Sequence, residues 1–462
     1  MLKRKPFWRR HAKQVSANGR TRDKQYLGPF HPSWLLIGFF LALIFIGTIL
    51  LLLPGATASG HRVSVMDAMF TATSAATGTG LVIQDTISFW SLTGQRIIMG
   101  LILVGGLGAL IGSTMLLLLI ARRVNKQDQS LIKNSMGTES ARGIRLLIFG
   151  IILYAFMVQL VGAYLLASRL SDSISHGTAW WLGAFHAVSS FNNAGFEIIG
   201  MAQKPPDTSV QLIIAGLSIL GSISFIIVID LIRRPFRKRL LLDTKLALIV
   251  SGLLLAIGMA AILITEANNP QTFGPLSFSQ KIVSAFCHSA SARTTGLATV
   301  NLAAFANATS LIIIALMFIG GTSGSNAGGI KVNTFALLPI VTWSFVRGKK
   351  HVELWGTRIH EEQLSRALAI IFLAAMLVFS ITVLLSLTEG KTLLDELFET
   401  VSAFSTTGYS LGITSALSDA GKLLIAFTMF VGRVGPVTLA FALSTRHRPT
   451  YHKYTEEVIN LG

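Results

Sequence analysis

The sequence predicts an all-α polytopic membrane protein in which one helix–loop–helix unit is repeated four times. Three observations carry that prediction: long stretches without charge, a lopsided distribution of basic residues, and a glycine-centred pattern that recurs four times. Of 462 residues, 52% are hydrophobic and only 13% charged, about half the charged fraction of an ordinary soluble domain. Mean hydropathy is +0.62.

The charge deficit is concentrated. Segments 34–53, 97–120, 146–168, 210–229, 246–265 and 367–388 each run at least 20 residues without Asp, Glu, Lys or Arg. About 20 apolar residues cross a hydrocarbon core as helix. Segments 311–346 and 423–444 are equally apolar but interrupted. Together these predict eight spanning helices.

A net charge of +18 would suggest nucleic acid in a soluble protein. Its location excludes that reading. With both termini inside, 29 of the 39 Lys and Arg residues fall in inner segments 1–33, 121–145, 232–245, 345–366 and 445–462, and 7 in the outer connections. This is the positive-inside pattern. Basic loops on an anionic leaflet account for the charge, so the partner is the lipid bilayer, with no nucleic acid. Segment 34–53 is too long for a signal-peptide core. The lone Cys287 excludes an internal disulfide or a cysteine zinc site and reads as a packed thiol in AFCHSA.

Each outer connection contains a Phe, a small residue four positions later and a Gly six after that. The sets are Phe70, Ser74 and Gly80; Phe185, Ser189 and Gly195; Phe286, Ala290 and Gly296; Phe398, Ser402 and Gly408. Internal repeats of this kind mark architecture. The dozen or so residues before each loop are too short to cross, which favours a re-entrant segment. The expected fold is therefore eight spanning helices plus four short re-entrant helices. Its divisions are a basic arm 1–33, units at 34–122, 145–240, 241–346 and 365–445, and a tail 446–462.

The loop residues explain why such a unit would repeat. Irregular backbone at membrane depth is tolerated only against protein or a water-filled cavity. Carbonyls aimed at a shared axis can replace the hydration shell of a cation. Gly reaches backbone angles closed to other residues and lets chains approach closely. The candidate filter residues are Thr77, Gly78, Thr79 and Gly80; Asn192, Asn193, Ala194 and Gly195; Thr294, Thr295 and Gly296; and Ser405, Thr406, Thr407 and Gly408. None is a carboxylate, which suits carbonyl coordination of a monovalent ion better than a calcium or magnesium site. Any one copy alone would read as a helix-packing glycine; four in matching topology point to a shared task.

The strings FTATSAATGTGL, FHAVSSFNNAGFE, ARTTGL and FETVSAFSTTGYS resemble, in order, the filter segments of the K⁺ transporter superfamily that includes bacterial KtrB and TrkH and plant HKT proteins. The resemblance covers nearly everything from Trp34 onward. It implies four helix–pore-loop–helix repeats around one pore, with filter glycines at Gly80, Gly195, Gly296 and Gly408. Some sodium-carrying plant members have Ser at the first position, so four glycines imply K⁺ preference. Only a short basic arm precedes Trp34, which makes the chain KtrB-like. That implies a homodimer in a bacterial cytoplasmic membrane, with both termini cytosolic, controlled by a cytosolic ring of nucleotide-binding KtrA-type subunits. Na⁺ as activator or coupled ion, or as the transported ion of a less selective pathway, is an alternative the residues leave open. Gly390-Lys391-Thr392 is no P-loop, because the required Gly is Leu385. No organic cofactor is expected.

The third inner segment is interrupted at FIGGTSGSNAGGIK. Gly320, Gly321, Thr322, Ser323, Gly324, Ser325, Asn326, Gly328 and Gly329 form no stable helix, yet apolar sequence flanks them. The resemblance makes this an intramembrane gate that obstructs the pore. Lys331 is expected to anchor it or pair with a carbonyl. Arg433, in FVGRVGPV, should face the bundle interior, since intramembrane Arg costs about 2.5–3.5 kcal/mol on insertion scales. Arg293 should turn away from the pore and brace its loop. His186 and His288 read as packing or hydrogen-bonding residues, and Asp230 as an interfacial charge. With no HExxH, no GxSxG and no helical carboxylate pair in the spans, the chain is not expected to be an enzyme.

Overall fold

The structure is a computed structural model that describes residues 32–58, 62–124, 141–201, 207–234, 240–349 and 351–435. The basic arm up to residue 31, much of the basic connection 121–145 and the tail beyond 435 lie outside the described residues.

Fourteen α-helices account for most of the described chain: α1 Pro32–Leu51, α2 Val65–Thr77, α3 Leu92–Val124, α4 Ala141–Leu170, α5 His176–Phe191, α6 Thr208–Ser222, α7 Phe225–Arg233, α8 Leu242–Glu266, α9 Phe278–Ala292, α10 Asn307–Phe318, α11 Val332–Val346, α12 Glu361–Glu389, α13 Leu393–Ser405 and α14 Asp419–Val434. A hairpin of two-residue strands, Glu353–Leu354 against Thr357–Arg358, joins α11 to α12, which the hydropathy pattern does not announce.

Among the described residues, five helices are long and apolar enough to cross a membrane: α1, α3, α4, α8 and α12. They present large apolar side chains outward, Phe45 at 67% exposure and Ile264 at 82% among them. A helix apolar on every side needs an apolar surround. The segment expected to run straight over 210–229 does not. It divides into α6 and α7, bent by 93°. At the break, Ser224 N–H donates to Thr322 Oγ1 at 2.7 Å, and the Ser222 carbonyl accepts from Thr322 N–H at 3.0 Å. A residue about a hundred positions away thus takes the backbone bonds that would continue the helix. The third inner segment is split, as its composition predicts, into α10 and α11.

The short helices α2, α5, α9 and α13 begin at side-chain caps or polar turns. Ser64 caps α2, Thr392 caps α13, and Ser277 with Gln280 forms a reciprocal capping box on α9, satisfying otherwise orphaned N–H groups. The repeated Phe is the inward anchor of each: Phe70, Phe185 and Phe398 are fully buried, and Phe286 packs against the cluster around Cys287.

The first short helix is tied to the last helix, α14, by an ion pair. Lys422 of α14 lies 2.7 Å from Asp67 of α2, with 13% and 16% of the side chains exposed. Lys422→Met should lower the apparent melting temperature of the detergent-solubilised protein, with a loss of about 1–2 kcal/mol, between the values for exposed and buried pairs. The double exchange Asp67→Lys with Lys422→Asp should recover most of it; thermal unfolding checks both.

Candidate functional site

The C-terminal ends of α2, α5, α9 and α13 deliver four extended segments to one place. A methyl built on Gly80 would lie 2.8 Å from Gly195 Cα and would overlap the Ala194 carbonyl oxygen. One on Gly195 would overlap the Thr295 carbonyl oxygen, and one on Gly296 would lie 2.8 Å from Thr407 C. One on Gly408 would lie 3.0 Å from Gly80 Cα, which closes the circuit. All four glycines have positive φ, at 91°, 70°, 67° and 94°, a region side chains avoid. The pattern glycines are therefore required twice, by conformation and by contact.

In three of the four units the hydroxyl four positions after the Phe has a defined task. Ser74 Oγ accepts from Gly80 N–H at 3.0 Å and Ser402 Oγ from Gly408 N–H at 3.1 Å. Ser189 Oγ instead donates to the Phe196 carbonyl at 2.7 Å. Thr77 and Thr79 hydroxyls meet at 2.7 Å; Ser405 and Thr407 repeat that contact at 2.8 Å. Thr295 Oγ1 donates to Asn193 Oδ1 at 2.8 Å, joining the second segment to the third. Gly78, Asn193 and Thr406, each two residues before its glycine, share left-handed backbone. The third segment departs from this: Thr294, Thr295 and Gly296 all donate N–H to Ser291 O.

Segment 320–329 packs against this cluster. Methyls on Gly328 and Gly329 would strike Ser405 and, from Gly328, Thr406 as well. Asn326 Nδ2 donates to Asn192 Oδ1 at 3.3 Å and Asn326 N–H to the Gly221 carbonyl at 3.1 Å. Ser325 Oγ donates to the Thr322 carbonyl at 2.7 Å. Gly320 N–H donates to Ile330 O at 2.9 Å and Val332 N–H to Gly321 O at 3.1 Å, closing the base of the segment. Gly324 turns it at φ 84°, and Ser323 is only half-buried.

Three cations hold the segment. Arg433 Nη1 donates to the Asn326 carbonyl, while its Nε and Nη2 are buried without a partner, Nη2 lying beside Gly78. Lys331 Nζ donates to the Ala327 carbonyl. Arg293 spans from the Ser251 carbonyl at 3.1 Å to the Gly320 carbonyl at 3.4 Å, so it braces the segment from behind.

His186 and His288 are buried hydrogen-bonding residues. His186 Nε2 accepts from Ile198 N–H at 3.2 Å, and His288 sits between Thr299 and Tyr409. Cys287 is buried, with Sγ 3.6 Å from the Gln211 carbonyl. Asp230, near the end of α7, is buried and accepts from Leu241 N–H at 3.0 Å. The turn into α8 covers it.

Sequence reasoning missed a second set of glycines. Methyls on Gly105, Gly221 and Gly432 would overlap the carbonyl oxygens of Ala76, Phe191 and Phe404, the last turns of α2, α5 and α13. These glycines follow Gly80, Gly195 and Gly408 by 25, 26 and 24 residues, a spacing that could have revealed them. The same distance after Gly296 reaches Gly321, where the helix is already broken.

Backbone carbonyls and four helix C-termini, each carrying about half a negative charge, are gathered inside an apolar helix bundle. That arrangement defines a polytopic membrane protein built to handle cations. The family model described as TrkH, cation transport protein, matches residues 9–449, and the chain belongs to that family. It is 37% identical over 446 residues to Ktr system potassium uptake protein B of Vibrio alginolyticus, covering 96% of each chain. It is 34% identical to the protein of the same name from Bacillus subtilis, covering 89% of this chain and 93% of that one. It is also 34% identical to potassium/sodium uptake protein NtpJ of Enterococcus hirae, covering 92% and 96%. The crystal structure of the potassium transporter TrkH from Vibrio parahaemolyticus superposes with a TM-score of 0.72 at 17% identity, covering 94% of this chain and 88% of that one. The chain is thus KtrB-like, a transporter rather than an enzyme.

Gly80→Ala and Gly408→Ala should each destabilise the purified protein by at least about 2 kcal/mol, from overpacking and left-handed strain together. Gly38→Ala, in α1 with nothing within 4 Å of the added methyl, should change stability by no more than about 1 kcal/mol. Thermal unfolding of the three variants side by side checks this.

Proposed function

We propose that this protein takes up K⁺ across the bacterial cytoplasmic membrane through a filter lined by the carbonyls around Gly80, Gly195, Gly296 and Gly408. The observation that carries the proposal is the closed circuit of four glycine backbones at the ends of four short helices. A cation entering it exchanges hydration for fixed carbonyl dipoles, and the converging helix ends favour positive charge. In this reading the chain forms four helix–pore-loop–helix repeats around one pore, with both termini cytosolic. The names of the Vibrio and Bacillus relatives support K⁺ as the ion. The Enterococcus relative, named for potassium and sodium, supports Na⁺ as activator, coupled ion or weaker second substrate.

Segment 320–329 is proposed as the gate. It fills the space directly against Ser405 and Thr406, and Arg433 and Lys331 place two positive charges along the same route. Opening requires the Asn326 carbonyl to part from Arg433 and Thr322 to leave the α6–α7 break. The assembly proposed is a homodimer, one pore per protomer, driven by a cytosolic nucleotide-binding ring of KtrA-type subunits acting on this gate.

Gly195→Ser in proteoliposomes should weaken apparent K⁺ affinity and discrimination against Na⁺ while membrane insertion persists. Unchanged kinetics for both ions would remove these loops from the filter. Arg433→Ala should raise K⁺ flux about tenfold, the worth of one charged hydrogen bond, most visibly without regulatory subunits. Arg433→Lys keeps the charge but loses the planar fork. If Lys restores the low flux, repulsion dominates; if Lys resembles Ala, the hydrogen-bonded latch does. Unaltered flux in Arg433→Ala would make Arg433 a structural brace.

A further inference from the structure

The third filter segment lacks the hydroxyl that the other three possess. Its Phe286 is followed by Ala290, where the others have Ser74, Ser189 and Ser402. In the second segment the Ser189 hydroxyl holds the Phe196 carbonyl, directly after Gly195. The matching carbonyl of the third segment is that of Leu297, directly after Gly296. It is not left alone: the Tyr409 hydroxyl donates to it at 3.2 Å. Tyr409 itself directly follows Gly408, so the donor belongs to the fourth segment.

We infer that the Tyr409 hydroxyl is the brace of the third segment, supplied by its neighbour in place of a serine at 290, and that it is a positioning residue for ion selectivity. The surrounding bonds fix its direction. A carbonyl can only accept, so the single phenolic proton goes to Leu297 O. His288 Nδ1, 2.9 Å from Tyr409 Oη, therefore carries a proton and donates it to that oxygen. His288 Nε2, 3.1 Å from Thr299 Oγ1, then accepts from the threonine. The chain runs Thr299 to His288 to Tyr409 to the Leu297 carbonyl, with Ser291 also within reach of the phenol. All its members are buried, and directed chains of this kind strengthen one another in a low dielectric.

The residues after the other filter glycines are Leu81, Phe196 and Leu297; none has a hydroxyl to lend. The third segment is held from both sides by its neighbours, by Asn193 through Thr295 and by Tyr409 through Leu297. Removing the phenolic hydroxyl frees one quarter of the circuit to shift relative to the rest. A filter with one loose quarter adapts to a smaller ion and loses discrimination.

This inference rests on the filter reading, and the test separates the two. Tyr409→Phe, Tyr409→Phe with Ala290→Ser, and Gly195→Ser are compared in proteoliposomes for K⁺ against Na⁺ flux. Tyr409→Phe should reduce the preference for K⁺ about three- to tenfold, the size of one neutral buried hydrogen bond. Adding Ala290→Ser, which places a hydroxyl where Ser189 has one, should recover at least half of that loss. If Tyr409→Phe does not insert, Thr299→Val serves instead, with a smaller loss in the same direction. Selectivity unchanged in Tyr409→Phe but altered in Gly195→Ser would overturn the inference and leave the filter standing. Lost selectivity without recovery by Ala290→Ser would also overturn it, since the phenol would then act as core packing. Selectivity unaltered in all variants would remove the filter reading and this inference with it.

Discussion

Everything in this molecule depends on bringing four stretches of backbone into van der Waals contact inside an apolar bundle. Backbone carbonyls cannot be buried there unpaired, and no side chain fits between chains that touch. Glycine at 80, 195, 296 and 408 answers the second requirement. The buried Ser, Thr and Asn hydroxyls and amides answer the first, taking up the N–H and C=O groups that the short helices release. Glycines 105, 221 and 432 extend the same solution one layer outward, letting α3, α6 and α14 rest directly on the ends of α2, α5 and α13.

The split helices follow from the same constraint. Segment 320–329 is itself irregular backbone in the bundle, so its polar groups must be satisfied by neighbours. They are satisfied by opening one: α6 and α7 part at Ser222–Ser224 and share their backbone bonds with Thr322. Arg293, Lys331 and Arg433 supply donors to three further carbonyls of the segment. Each of these holding groups can be withdrawn separately, which suits the proposed role of the segment as a gate.

The four converging glycines were legible in the sequence because the chain states their pattern four times. Repetition separated Gly80, Gly195, Gly296 and Gly408 from 38 other glycines, and composition alone exposed the interruption after Phe318. The spans were legible where apolar length is uninterrupted, as in α1, α8 and α12. The 93° bend was not, because its cause lies about a hundred residues away in Thr322 and the local sequence SILGSISFII reads as continuous helix. The burial of Asp230 was hidden for a related reason: its partner, the Leu241 N–H, is brought to it only by the turn into α8. Tyr409 was passed over because it falls at a position where the other three segments carry apolar residues. Its partner Leu297 becomes visible only when the segments are placed side by side.

In the proposed function a cation sits on the axis of the four glycines, held by backbone oxygen. Crystals of the protein grown in Rb⁺ and measured at the rubidium absorption edge test it most directly. An anomalous peak enclosed by Gly80, Gly195, Gly296 and Gly408, lost when Gly195 is replaced by Ser, is the expected result. Rubidium found only elsewhere in the bundle, with the four glycines closed upon themselves, would contradict it.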